Sequence, residues 1–185
     1  MAREISDRNI LDKFCEEFCE ILEKHCKYIV VSGFLVIASG RTRGTEDIDI
    51  ITERLSIDKF ILLFQELEKN DFSCMQSSDA KEAYEYLADN TSIRFSRQAM
   101  PLPEMELKFA KDILDKIQLQ NRVKLPLTGL KVWFGSVNTN IAFKEEYLKS
   151  PKDIEDARYL RIVYEEMIDE QEIQRWKAMI RKERL

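Results

Sequence analysis

The sequence lacks any long apolar segment. No run approaches the roughly 20 consecutive apolar residues that a membrane-spanning helix needs. The first residues, MAREISDRNILDKF, also lack the apolar centre of a secretory signal peptide. These two absences predict a protein of the cytoplasm that does not associate with membranes.

The chain also lacks an excess of positive charge. It carries 29 Lys and Arg against 34 Asp and Glu, a formal net charge of −5. This balance argues against bulk nucleic-acid binding through an overall basic field, although it is compatible with a local basic patch. The basic residues of the C-terminal stretch RWKAMIRKERL could bind a phosphate backbone, but we interpret them as residues that offset the dipole at the end of a helix.

Histidine is scarce, and this bears on zinc binding. His25 is the only histidine, and Cys15, Cys19 and Cys26 lie near one face of the helix expected around it. A Cys-x3-Cys pair beside a His-Cys dipeptide is not a usual zinc spacing. We therefore predict that these thiols pack in the core as small apolar groups.

The sequence shows no internal repeat, low-complexity tract or linker, which favours one compact unit of 185 residues. Hydrophobic periodicity predicts alternating helices and strands. Helices are expected at 7–26, 34–39, 56–70, 78–90 and 111–122, and strands at 28–32, 46–52, 91–96 and 104–110. We also expect a proline-bearing loop at Pro101–Pro103, a hairpin around Thr128-Gly129, and helix from Val137 onward, with Ser150 capping a helix that starts at Pro151.

This pattern predicts an α/β (α+β) fold, a mixed β-sheet flanked by helices with a helical C-terminal third. Residues 1–135 would form the α/β core, and residues 136–185 a helical segment packed on it.

Two aspartates lie one residue apart in the apolar stretch DIDI. Residues two apart in a strand point to the same face, so Asp47 and Asp49 lie side by side while Ile48 and Ile50 pack into the core. Two carboxylates this close repel, which raises the pKa of one of them unless a cation lies between them. Mg²⁺ takes oxygen ligands, often carboxylates together with substrate phosphates, and a pair of such ions can activate a hydroxyl and stabilise a leaving pyrophosphate. A solvated strand face also produces such a pair by chance.

Ser32-Gly33 lies between the first strand and the short apolar helix that follows it. A glycine permits close approach to the backbone, and a helix N-terminus favours phosphate. A tight strand-to-helix turn explains the dipeptide equally well.

Taken together, these residues resemble the signature of the minimal nucleotidyltransferase (polymerase-β-like) superfamily, a Gly-Gly or Gly-Ser turn followed by Asp-x-Asp. Thirteen residues separate Ser32-Gly33 from Asp47-Ile48-Asp49. The stretch GRTRGTEDIDI looks like the loop of the branch that contains AbiEii-like toxins and small archaeal and bacterial nucleotidyltransferases. In that branch a basic residue and a small hydroxyl residue precede the aspartates, matched here by Arg43 and Thr45.

The segment IAFKEEYLKSPKDIEDARYL is similar to that branch's helical motif, a lysine followed by Lys-Asp-x-x-Asp. Lys144 matches the lysine, and Lys152, Asp153 and Asp156 match the second element. The resemblance implies nucleotide or phosphate binding for the matched residues Ser32, Gly33, Arg43, Thr45, Lys144, Lys152, Asp153 and Asp156. From the residues alone, Lys144 could also be a solvated side chain that pairs with Glu145 or Glu146, although the family match favours phosphate binding. The other three residues could equally be the charged first turn of a helix.

The superfamily places a third carboxylate on a later strand. Glu106 in MELKFA is the best match, although aspartate is commoner there, and Glu104 is a less central alternative. Ser32 stands where the first glycine is more usual. The resemblance thus implies catalytic and metal-binding roles for Asp47, Asp49 and Glu106, with two Mg²⁺ ions as cofactor.

Three hypotheses follow. The first is a Mg²⁺-dependent nucleotidyltransferase that moves a nucleoside monophosphate from NTP to a hydroxyl of an RNA end such as tRNA, a protein or a small molecule. The second is a non-catalytic nucleotide- or partner-binding member of a toxin–antitoxin-type pair, bound to a partner protein or to a second copy. The third is a structural α/β domain in which Asp-x-Asp is coincidental.

Overall fold

A computed structural model describes residues 10–42 and 47–185, which form helices and one sheet. The strands are β1 Tyr28–Val31, β2 Asp47–Thr52, β3 Phe72–Cys74, β4 Ile93–Arg97 and β5 Met100–Phe109. The helices are α1 Ile10–His25, α2 Gly33–Ala38, α3 Ile57–Lys69, α4 Ala80–Ala88, α5 Ile113–Gln120, α6 Val137–Phe143, α7 Pro151–Val163 and α8 Glu170–Arg184. None of the helices in these ranges is long and apolar enough to cross a membrane.

The sheet is mixed, with strand order β1-β2-β5-β4-β3. β2 and β5 run parallel, whereas the other neighbouring strands are antiparallel. The predicted fold class, a mixed sheet flanked by helices, is confirmed. The parallel pair matters most for the site, because it sets Asp49 opposite Glu106 at the centre of the sheet.

The two faces of the sheet differ in what they bury. One face carries Ile48, Ile50, Met105 and Leu107 into the main core, with side chains from α1, α3 and α4. The other face holds a small apolar cluster that includes Ile51 and Leu119 of α5. This cluster covers only part of that face. The face can therefore accommodate charged residues of β2 and β5 beyond the cluster.

The cysteine prediction is confirmed. Cys15, Cys19 and Cys26 are buried free thiols in the main core, and burial raises the pKa of Cys26 to about 12. His25 contacts Glu66 instead, with 2.6 Å between Nε2 and Oε2. These thiols therefore act as packing groups.

Two local predictions are wrong. The prolines expected in a loop at 101–103 belong to the start of β5, where proline is tolerated because few ladder hydrogen bonds need its missing N–H. In the expected hairpin, only Val123 and Phe134 pair, through two backbone hydrogen bonds of 2.9 and 2.8 Å. The segment after the Thr128-Gly129 turn bonds to β1 instead, where the Val30 N–H donates to the Trp133 carbonyl at 2.8 Å. The short strand β3 was not predicted.

The helical C-terminal third is confirmed from Val137 onward. A π-helical turn, Lys144–Leu148, joins α6 to α7, and the Ser150 side chain caps α7 by accepting from the Asp153 N–H. Apolar residues of α7 and α8 enter the main core, among them Leu160, Trp176 and Ile180. The boundary at 135/136 between core and helical segment stays a prediction.

Candidate functional site

Four acidic side chains lie together on the less covered face of the sheet. In the parallel register, Asp47 is opposite Glu104 and Asp49 is opposite Glu106. Residues that are opposite on neighbouring strands, or two apart on one strand, share a face. We call Asp47, Asp49, Glu104 and Glu106 the carboxylate row.

In the part of the chain that the structure describes, Arg94 and Lys108 flank the carboxylate row. Arg94 lies opposite Glu106 on β4, and its Nη2 donates to Glu106 Oε2 at 3.0 Å while its Nε lies 3.4 Å from Glu104 Oε2. Lys108 Nζ lies 3.7 Å from Asp49 Oδ1. The hydrogen bond and charge of Glu106 raise the pKa of Arg94. Each of the central carboxylates thus has a cation from the protein beside it.

Burial raises the pKa of Asp49, and the charges of Glu106 and Asp47 act in the same direction. Lys108 and a hydrogen bond with the Ser32 side chain oppose this shift. The predicted raised pKa in the Asp-x-Asp pair is therefore confirmed for Asp49. Its main cause is loss of solvent, whereas the prediction relied on repulsion between the two aspartates.

Ser32 has a strained backbone. Its φ of 67° and ψ of −137° lie in a region that glycine tolerates and other residues rarely adopt. The turn between β1 and α2 directs its side chain to Asp49, and Gly33 begins α2 in a buried position. Ser32 thus adopts a backbone conformation that favours glycine while presenting a hydroxyl to the carboxylate row.

A cleft of about 370 Å³ adjoins one end of the carboxylate row. Its lining includes Ser32 and Asp49, and its charged walls add Lys108, Lys111 and Lys144. Asp47, Glu106 and Gly33 are not among the described residues that line it. The structure thus brings only part of the predicted set into this cleft.

The far wall of the cleft comes from α5, α6 and the π-helical turn. Gln118 and Asn140 are buried amides that line it, and Tyr147 adds a partly exposed aromatic ring. Asn140 Nδ2 donates to the carbonyls of Gly135 and Ser136. This wall offers amide and aromatic groups, whereas the Asp49 end offers charge.

Lys144 is buried among carboxylates. Only 1% of its side chain is exposed, and Nζ lies 3.0 Å from Asp156 Oδ2 and 3.4 Å from Asp153 Oδ1. Arg41 pairs with the other oxygen of Asp156 and with Glu155. The structure therefore joins three of the predicted residues into a buried ionic network, in which the ammonium already has two partners.

Two further predicted positions lie elsewhere. Lys152 is exposed in the first turn of α7 and does not line the cleft. Arg43 and Thr45 lie outside the described residues. Their nucleotide-binding roles, like those of the other matched positions, stay predictions.

Sequence reasoning missed two arginines of this region. Arg94 was identifiable in principle, because alternation in TSIRFS sets it on the face opposite to Ile93 and Phe95. Arg184 had no local signal, because its partners lie 72 and 69 residues earlier in the chain: it donates to Asp112 Oδ2 and Asp115 Oδ1, both at 2.7 Å. Its guanidinium also lies 5.0 Å from the centre of the Phe143 ring, at the cleft wall.

The carboxylate row is not a preformed metal centre. Within residues 10–42 and 47–185, no group of three His, Cys, Asp or Glu side chains is arranged closely enough to hold a metal ion. Asp47, Asp49 and Glu106 share one face, but Glu106 is turned to Arg94. Their metal-binding role stays a prediction.

Comparison with known proteins identifies the fold. No protein-family model and no curated protein matches the sequence, but solved structures do. The antibiotic-resistance factor ANT(2'')-Ia matches with a TM-score of 0.53 and 14% identity over 92% of this chain and 93% of its own. An antigenic nucleotidyltransferase-like protein from Paracoccidioides brasiliensis matches with a TM-score of 0.55 and 20% identity over 94% of this chain and 88% of its own. The chain therefore has a nucleotidyltransferase-like fold, whereas membership of the AbiEii-like branch stays a prediction.

Proposed function

We propose that this protein is a nucleotidyltransferase that transfers a nucleoside monophosphate from NTP to a hydroxyl acceptor. The observation that supports this most is the pairing of Asp49 with Glu106 on adjacent parallel strands, with Asp47 on the same face. In such a reaction the acceptor oxygen forms a bond to the α-phosphorus and pyrophosphate leaves. Both steps concentrate negative charge, which a site of this kind must offset.

The donor groups of the carboxylate row suit Mg²⁺. Carboxylate oxygens are the ligands that this ion prefers, and the raised pKa of Asp49 indicates a partly buried carboxylate whose charge its neighbours do not fully compensate. Asp47 and Asp49 would hold the ion, and Glu106 would join them once released from Arg94. When bound, Mg²⁺ would neutralise phosphate charge and favour loss of the acceptor's proton.

The cleft would bind the nucleotide. Lys108 and Lys111 supply ammonium groups beside Asp49 for the triphosphate. Gln118 and Asn140 supply amide groups for the edge of a base, and Tyr147 supplies a ring on which the base can stack. Lys144 would act mainly by holding α7 against the cleft wall, because two carboxylates already neutralise its charge.

A second candidate function is a nucleotide- or partner-binding member of a toxin–antitoxin-type pair that does not catalyse transfer. It is favoured by the contact between Arg94 and Glu106, which occupies the third carboxylate. Under either function we place the protein in the cytoplasm. The acceptor or partner would be a tRNA, a protein, a small molecule or a second copy.

The test is transfer of label from each α-³²P NTP to a cell extract containing RNA, protein and small molecules, with Mg²⁺ or with EDTA. We expect wild-type transfer only with Mg²⁺. Asp47→Asn should lose several kcal/mol of transition-state stabilisation, hence roughly three orders of magnitude in rate.

The matched control is Asp58→Asn, which removes an exposed carboxylate from the first turn of α3 and should transfer at the wild-type rate. Equal transfer by Asp47→Asn and wild type would contradict the proposal. Nucleotide binding by calorimetry without any transfer would favour the second candidate.

A further inference from the structure

The contact of Arg94 with the carboxylate row is the strongest feature that the proposed reaction does not use. Arg94 lies in register with Glu106, donates to it at 3.0 Å and also approaches Glu104. The arginine therefore spans two of the four members of the row, from the strand next to β5.

Arg94 is not needed to hold the fold together. Its side chain is 43% exposed, and exposed ion pairs contribute little to stability. The Arg94 backbone makes its own hydrogen bonds, since its N–H donates to Gln76 Oε1 at 2.7 Å and its carbonyl accepts from the Met75 N–H at 2.8 Å. A change of the side chain should therefore leave β4 in place.

We propose that Arg94 is the resident counter-ion of the carboxylate row and competes with a divalent cation for Glu106. The inference rests on the proposed function, because it concerns the cation site assigned there. Arg94 acts as a positioning residue: it holds the Glu106 carboxylate when no cation is bound and releases it when one binds. The affinity of the row for a divalent cation is then set partly by this arginine.

Arg94 would weaken the binding of a divalent cation in two ways: its charge repels the cation, and its hydrogen bond withholds Glu106 as a ligand. A cation held by the row must break the charge-assisted hydrogen bond to Glu106 and then lies close to the guanidinium. A unit charge ~6 Å from a divalent ion weakens its binding about tenfold even at the dielectric constant of water. Lys108 lies further from its carboxylate, 3.7 Å from Asp49, and does not contact Glu106.

The experiment measures Mn²⁺ binding to the full chain without nucleotide, from the paramagnetic resonance signal of free Mn²⁺. We expect Arg94→Gln to bind Mn²⁺ about tenfold more tightly than wild type. Arg94→Lys keeps the charge and should stay within about threefold of wild type. The control Arg175→Gln removes an exposed arginine of α8 and should not differ from wild type. The double variant Arg94→Gln/Glu106→Gln should lose the tenfold increase in Mn²⁺ affinity expected of Arg94→Gln.

Thermal melting of each variant checks the fold, and a merely structural Arg94 would lower the melting temperature without tightening Mn²⁺ binding. Equal Mn²⁺ affinity of wild type and Arg94→Gln would overturn the inference, and so would an equal gain in Arg175→Gln. NTP transfer is measured on the same preparations. Normal Mn²⁺-dependent transfer with unchanged affinity would overturn the role of Arg94 alone, whereas absence of Mn²⁺ binding from every variant would overturn both this role and the proposed metal site.

Discussion

At Ser32, the effect of the backbone conformation on stability can be measured separately from the effect of the hydroxyl on Asp49. Ser32 adopts a φ of 67° and a ψ of −137°, and its side chain hydrogen-bonds Asp49. We predict that Ser32→Gly stabilises the protein, because glycine adopts this conformation without strain. The same change removes the hydroxyl, so the pKa of Asp49 should rise further.

The expected gain in the free energy of unfolding of Ser32→Gly is the difference between two opposing effects. Holding a residue other than glycine in this region costs ~1–3 kcal/mol, and the extra freedom of glycine in the unfolded chain takes back ~0.5–1 kcal/mol. The net gain is about 1 kcal/mol, which corresponds to a rise in melting temperature of about 2–4 °C for a domain of this size. Loss of the hydrogen bond to Asp49 reduces this gain by part of its ~1 kcal/mol.

The assay is thermal melting of wild type, Ser32→Gly and Ser32→Ala under identical conditions. Ser32→Ala is the matched control, because it removes the hydroxyl and keeps the strain, so it should melt below wild type while Ser32→Gly melts above it. The reasoning is refuted if the two variants melt at the same temperature, since backbone conformation would then make no difference at this position.

Three further predictions concern charge. Burial raises the folded pKa of Asp49 above its ordinary 3.8, so the free energy of unfolding falls as pH rises from 3.8 through the folded pKa. Asp49→Asn should therefore melt at a higher temperature than wild type at pH 7 without divalent cations. Equal melting temperatures would contradict this. Lys144→Met should cost about 3 kcal/mol by denaturant unfolding, because it leaves the buried Asp156 without one partner, and adding Asp156→Asn should restore part of it. Burial raises the pKa of Asp112 and Glu145, but basic partners outweigh it and lower both pKa values below the ordinary 3.8 and 4.5. The stability that these two carboxylates contribute is complete above those ordinary values and is lost as pH falls through the folded pKa. A melting temperature that stays unchanged down to pH 3 would contradict this prediction.

Local patterns predicted most of the secondary structure. Period 3.6 identified α1, α3, α4 and α5, and Ser56 and Ser150 cap their helices as expected. These features depend on residues within one or two turns of each other, which the sequence displays directly. The prolines at the start of β5 led to a wrong prediction of a loop. A local rule says only that proline disfavours a strand, and it cannot show that β5 begins where few hydrogen bonds to a neighbouring strand are needed.

Partners between distant segments were beyond such rules. The segment after the Thr128-Gly129 turn has hairpin composition, but it bonds to β1. That choice depends on which strand edge lies within reach after folding. Arg184 reaches Asp112 and Asp115 only because α8 packs back beside α5.

By itself, the sequence determined that Asp47 and Asp49 share a face and that Glu106 points away from its apolar neighbours, because side chains alternate along any strand. Only the tertiary structure decided that β2 and β5 pair in parallel with Asp49 opposite Glu106, and that Arg94 donates a hydrogen bond to Glu106. Alternation is a property of a single strand, whereas register and charge neighbours arise when several strands pack together, and the free energy of that packing is shared by the whole chain.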